Sequence, residues 1–98
     1  VEKQLTRQQE GTHADETETS MMLYIAPQLV KMPKAVKDYR PLRDQWPHIG
    51  ATGDTAATGV YGDPTLATRE KGEAIVEAMV KGILEEIEAL RRSAPGAP

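Results

Sequence analysis

The chain has 98 residues, enough for one small domain that can bury only a modest share of its surface. It has no cysteine, which excludes a disulfide framework and a thiolate metal site and fits a reducing, cytoplasmic setting. The net charge of −3 is mildly acidic, and the 12 Lys and Arg are scattered, without the basic stripe of a nucleic-acid surface.

The first ten residues hold no apolar run, so they read as neither a signal peptide nor a membrane span. Residues 1–11 are polar, end in Gly11 and suit a frayed helix or a loop. Residues 15–26 are expected to form a short helix. Asp15 can be its N-cap, with Glu18 three positions on as capping-box partner, or Thr17 can cap instead. Met21, Met22 and Ile25 fall at helical spacing, and Leu23 and Tyr24 widen that apolar face. Pro27 ends the helix, because the residue before a proline is pushed out of the helical region. Pro27-Gln28-Leu29-Val30 then reads as a turn that tucks two apolar side chains inward.

Residues 31–63, punctuated by Pro33, Pro41, Pro47, Gly50, Gly53, Gly59 and Gly62, predict little regular structure. A connection of that length in a small domain is either functional or disordered. The run from Gly50 to Gly59 has almost nothing to bury and is expected to be mobile unless something else holds it. The second helix is the clearest element: Asp63 caps, Pro64 suits the first helical position, and the pattern runs to about Arg92. Ile75, Val76, Met79, Val80, Ile83, Leu84, Ile87 and Leu90 make a broad apolar face opposite Glu73, Glu77, Lys81, Glu85, Glu88 and Arg92. Glu77→Lys81 and Glu88→Arg92 are ordered for pairing one turn apart. Residues 93–98 read as a disordered tail. The short helix is too small to cover the long one, and no segment shows clean strand alternation. The chain therefore reads as the outer layer of a structure whose inner layer is supplied elsewhere, or as a helical hairpin that dimerises.

His13-Ala14-Asp15-Glu16-Thr17-Glu18-Thr19-Ser20 places one imidazole and three carboxylates at a helix entrance. Acids are ordinary helix-start residues, since free backbone N–H groups there favour negative charge. The functional reading is a general acid/base site, in which a carboxylate orients a neighbouring histidine. A metal site complete within the chain is not expected. Such a site needs at least three protein ligands, and the other histidine, His48, reads as a surface residue of the loop beside Trp46. Ser20 and Ser93 lack a nucleophile setting, and the glycines of 50–62 follow no phosphate-binding pattern.

Two blocks together resemble a known family. Residues 13–23, followed by Pro27-Gln28-Leu29-Val30, are similar to the H-A-G-E-x-E-T-S and P-x-L-V signature of the creatininase family. Gly59-Val60-Tyr61-Gly62-Asp63-Pro64 and Ala67-Thr68-Arg69-Glu70-Lys71-Gly72 resemble that family's closing block. The resemblance covers residues 12–92 and identifies the chain as a C-terminal segment of a creatininase-family protein. It implies an α/β parent fold, a largely parallel sheet flanked by helices and commonly assembled into hexamers, of which this segment supplies mainly helix. It implies a metal-dependent amidohydrolase acting on non-peptide C–N bonds of small amide or cyclic amide substrates, with a divalent Zn, Mn or Fe. His13 stands at the family's proton-transferring histidine and Glu18 at the Glu of E-T-S. Thr12 replaces the acid that precedes the histidine in creatininase, Asp15 the usual glycine, and Thr17 a commonly apolar residue. The family's ligand blocks, Glu-x-His, an Asp and Asn-Gly-His, are absent, and the chain has no asparagine. The segment alone is thus expected to be inactive, its partner being the missing N-terminal half or a separate chain of a split hydrolase. The alternative is a non-catalytic helical protein that self-associates.

Overall fold

The computed structural model describes residues 1–40 and 58–93. Trp46, His48, the run from Gly50 to Thr55 and the residues after Ser93 lie outside the described residues, and so do the expectations attached to them.

One helical turn, α1 (Glu2–Leu5), precedes an irregular stretch. The expected short helix is α2 (Glu16–Ile25). Asp15 is its N-cap: the backbone there is extended, and the carboxylate accepts the Glu18 N–H at 2.9 Å. Glu18 returns a bond to the Ala14 N–H, one residue earlier than in a standard capping box. The helix closes with the Ala26 N–H on Met22 O, and Pro27 follows. Two 3₁₀ turns, Pro27–Leu29 and Met32–Lys34, then carry the chain around.

The long helix, α3, spans Arg69–Ser93 and starts later than its pattern suggests. Asp63 does cap, but it caps a separate 3₁₀ turn, Pro64–Leu66, by accepting from the Thr65 N–H. Ala67 is extended and breaks the run, after which the Thr68 hydroxyl oxygen accepts the Lys71 N–H as α3 begins. The break lets the first turn of α3 turn toward α2. The helix also ends one residue later than expected, at Ser93. At 1.5 Å per residue, 25 residues make a rod of about 37 Å.

Strand pairing is confined, among the described residues, to two isolated antiparallel bridges, His13 with Tyr61 and Asp38 with Gly62. Tyr61 and Gly62 are neighbours, so residues 60–62 run between the segment before α2 and the segment around Asp38. The ladder is short but complete on both sides: Tyr61 N to His13 O is 2.8 Å, and Gly62 N to Asp38 O is 2.7 Å. Asp38 is itself buried and accepts from the Arg40 N–H and the Thr58 hydroxyl. The Arg40 backbone N–H, ahead of the Thr58 and Arg40 side chains, holds its carboxyl below the ordinary carboxylate value.

Apolar packing is sparse. Among the described residues, Ile75, Ala67 and Tyr61 are the buried hydrophobic ones, whereas Asp15, Glu16, Ser20, Asp38 and Asp63 are buried polar ones. The face of α3 from Met79 to Leu90 is open to solvent, with Leu84 at 59% and Leu90 at 67% exposure. Leu29, expected to point inward, is 69% exposed, and Met22 and Ile25 are exposed as well. α2 presents Glu16 and Ser20 to α3, leaving Met22 and Ile25 on its open side and Met21 and Leu23 half-buried. Tyr24 joins the two helices differently: its hydroxyl donates to Glu77 at 2.6 Å and its ring lies 5.2 Å below the Arg69 guanidinium. Glu77, expected to pair with Lys81, is taken by this bond, and it raises the Tyr24 phenol above its ordinary pKa. Glu88 does pair with Arg92, at 3.8 Å, and more closely with Arg91, at 2.6 Å.

Candidate active site

The block from His13 to Ser20 divides into residues that hold the fold together and residues whose polar ends remain open. Glu16 belongs to the first group. Fully buried, it accepts from the backbone N–H of Arg7 at 2.7 Å and of Gln8 at 2.9 Å, and meets Lys71 Nζ at 2.6 Å. Lys71 donates in addition to Leu66 O. A buried carboxylate with three donors, one of them a cation, is satisfied, and it ties residues 7–8, α2 and α3 to one point.

Ser20 makes the second tie. Its hydroxyl oxygen accepts the Thr68 N–H at 3.2 Å, and the backbone of α3 crosses α2 at this level. A Cβ placed on Gly72 would overlap the carbonyl of Ser20, so only glycine permits the crossing. Glu16 with Lys71, and Ser20 with Thr68 and Gly72, are thus reciprocal pairs between the two motif blocks.

Gln8 makes the third tie. Its Nε2 donates to Asp15 at 2.9 Å, and its Oε1 accepts from the backbone N–H groups of Glu16 and Asp63. Asp15, standing where the resemblance leads one to expect glycine, has φ −96°, a conformation open to any residue. The left-handed residue is its neighbour Ala14, at φ 49°. An aspartate is therefore accommodated at 15 without strain, and its carboxylate caps α2.

His13 and Glu18 remain. The backbone of His13 is locked to Tyr61 by the bridge, while its side chain is exposed and, among the described residues, makes no hydrogen bond. Glu18, on the first turn of α2, is also exposed; Oε2 is engaged with Ala14, and Oε1 is open. No hydrogen bond joins the imidazole to Glu18. The strained Ala14 connects them, its N–H held by the carboxylate that follows and its carbon chain continuous with His13. Ala14, Glu18, Thr19, Met22, Leu29, Val30 and Lys31 line a depression of about 400 Å³. A smaller one of about 200 Å³ adjoins it through Ala14, Thr19, Val30 and Lys31.

Among the described residues no three His, Cys, Asp or Glu converge as ligands for a metal ion. His13 and Glu18 alone do not fit one. No described helix is long and apolar enough to cross a membrane.

The match to a family model over most of its length settles the class of the chain: it belongs to the creatininase family. That family, described as creatinine amidohydrolase and generally metal-dependent, matches residues 1–87. Curated relatives are named mycofactocin precursor peptide peptidase. The one from Mycolicibacterium smegmatis is 38% identical over 78 residues, covering 76% of this chain and 32% of that protein. Those from Mycobacterium ulcerans and Mycobacterium tuberculosis are 36% identical over the same length, covering 31% of each. The chain thus spans about a third of the length of the curated relatives it matches. No solved structure matches it.

Reading the residues singled out His13 and Glu18 but missed the structural weight of Glu16, Lys71 and Gln8. A signal was present in the first two, an acid and a base of opposite charge, one in each motif block. Gln8, in a polar stretch without pattern, carried none.

Proposed function

We propose that this chain contributes one wall of the catalytic site of an amide-hydrolysing enzyme with the α/β creatininase fold, of which it is the C-terminal portion, residues 12–92. The observation that carries the reading is the division within the motif. Asp15, Glu16 and Ser20 are consumed by the scaffold, whereas Glu18 lines a depression with one carboxylate oxygen open and His13, next in the chain to the lining residue Ala14, keeps an exposed imidazole.

In hydrolysis of an amide, a water oxygen adds to the carbonyl carbon, the C–N bond breaks, and the leaving nitrogen must gain a proton. An exposed imidazole on a locked backbone can carry that proton. Glu18, facing the depression, can accept a hydrogen bond from the substrate amide or from the attacking water. The divalent metal on which the family depends would be held by ligands other than these two, on the rest of the polypeptide or on a partner chain. The relatives' name favours a peptide amide over the small non-peptide amides that the motif alone implies.

The test is hydrolysis by the complete polypeptide, loaded separately with Zn, Mn and Fe, against peptide amides and a small cyclic amide. Hydrolysis that His13→Ala abolishes without loss of folding supports the reading. Full activity in His13→Ala overturns it. A second reading, helical self-association, has its own observation in the open face of α3. It predicts a stable helical oligomer from residues 1–98 alone, and a coil-like circular dichroism spectrum from a monomer excludes it.

A further inference from the structure

Beside Glu18, the depression holds one more charged group, the Lys31 ammonium. Lys31 lies at the junction of the two cavities and lines both. Its backbone is fixed between the turns Pro27–Leu29 and Met32–Lys34, where its carbonyl accepts the Lys34 N–H at 2.9 Å. The side chain is exposed and, among the described residues, forms no ion pair or hydrogen bond. Glu18 is the acid on the same wall, yet it does not neutralise Lys31, because its carboxylate is drawn back to the Ala14 N–H. Lys34 lines the smaller cavity, so positive charge continues in that direction. Met22, Leu29 and Val30 supply the apolar part of the lining. A cavity of this size, largely apolar with a few convergent charges, suits a small ligand.

We propose that Lys31 determines substrate specificity, binding a carboxylate carried by the substrate next to the amide that is cleaved. The proposal rests on the reading of His13 and Glu18 as the site wall. The substrate class is an N-acyl amino acid or a peptide presenting an anionic group near the scissile bond. Its acyl or side-chain part packs on Met22, Leu29 and Val30, its amide lies toward Glu18 and Ala14, the chain neighbour of His13, and its carboxylate lies toward Lys31 with Lys34 behind. An ammonium is a compact point charge that serves such a carboxylate without a fixed fork.

The experiment compares an N-acetyl amino acid with its carboxamide in the complete metal-loaded enzyme, wild type and Lys31→Met. Loss of one charge-assisted bond is expected to raise KM for the carboxylate probe about tenfold, leave kcat unchanged, and leave the carboxamide unaffected. Lys31→Arg should recover most of the loss. Equal effects on both probes, or none on either, would overturn the assignment. If the enzyme hydrolyses neither probe, the N-acyl amino acid is not its substrate, while hydrolysis of peptide amides tests the hydrolytic reading by itself. Equilibrium binding of the two probes to wild type and Lys31→Met then decides the role of Lys31 separately: a wild-type preference for the carboxylate that the variant loses supports it, and equal binding refutes it.

Discussion

The carboxylate of Glu16 and the ammonium of Lys71, 55 residues apart, meet at 2.6 Å in a place where Glu16 has no exposure to solvent. This contact explains why two motif blocks so distant in the chain occur together. Each holds the complementary half of one buried pair. Such pairs contribute little relative to apolar packing, but removing one partner strands the other charge in a poorly solvated site. Lys71→Met leaves Glu16 with only the Arg7 and Gln8 N–H groups and is expected to cost about 3 kcal/mol. Urea unfolding of the variant measures this. A loss below about 1 kcal/mol would mean that the pair is solvated or absent.

Two glycines of α3 make a matched comparison. At Gly72 a methyl group would overlap the Ser20 carbonyl, backbone against backbone, so the helices must separate. Gly72→Ala is expected to destabilise by at least about 2 kcal/mol. At Gly82 a methyl group meets nothing, and Gly82→Ala should stabilise by about 1 kcal/mol through helix propensity. Thermal unfolding of both variants checks the crossing of α2 and α3, and similar behaviour of the two would contradict it.

Asp38 gives a pH dependence whose sign follows from its partners. Its carboxyl titrates below the ordinary value because the Arg40 backbone N–H, then Thr58 and the Arg40 side chain, favour the ionised form. A depressed native pKa means that the stabilisation is fully present above the unfolded value, about 3.9, and is lost as pH falls through the native value. Asp38→Ala should therefore be less stable than wild type at neutral pH by about 1–2 kcal/mol, with the gap narrowing in acid. Urea midpoints measured from neutral pH to below pH 3 test it, and a gap constant with pH would show that the ionised form is not favoured.

Much of the chain was legible because short-range rules govern it. Asp15 capping α2, Pro27 ending it, and the apolar periodicity of α3 all follow from neighbours within a turn or two. What the pattern missed depends on distant partners. Asp63 and Pro64 look like a helix start and make one, but the extended Ala67 realigns the chain so that Thr68 can reach Ser20, a contact no local rule contains. The face of α2 was read from hydrophobicity as Met21, Met22 and Ile25, whereas the face that packs carries Glu16 and Ser20. Polar packing of this kind has no periodic signature. His13 and Glu18 were legible as candidates by residue type. Their openness was legible only once the neighbouring acids had been assigned partners.

His13 and Glu18 are separable by experiment because they differ in what they hold. The His13 imidazole makes no hydrogen bond among the described residues, while its backbone bonds to Tyr61 do not depend on side-chain identity. His13→Ala should leave unfolding unchanged within about 0.5 kcal/mol and, in the complete metal-loaded enzyme, lower kcat by about 10²–10⁴-fold. Glu18 holds the Ala14 N–H and, through it, the left-handed turn beside His13. Glu18→Ala should therefore lower both stability, by about 1 kcal/mol, and activity. Glu18→Gln retains an oxygen for Ala14 and should recover stability while leaving activity depressed. If Glu18→Gln restored both, the carboxylate would be a capping group with no part in the reaction, and His13 would stand as the one catalytic candidate among the described residues.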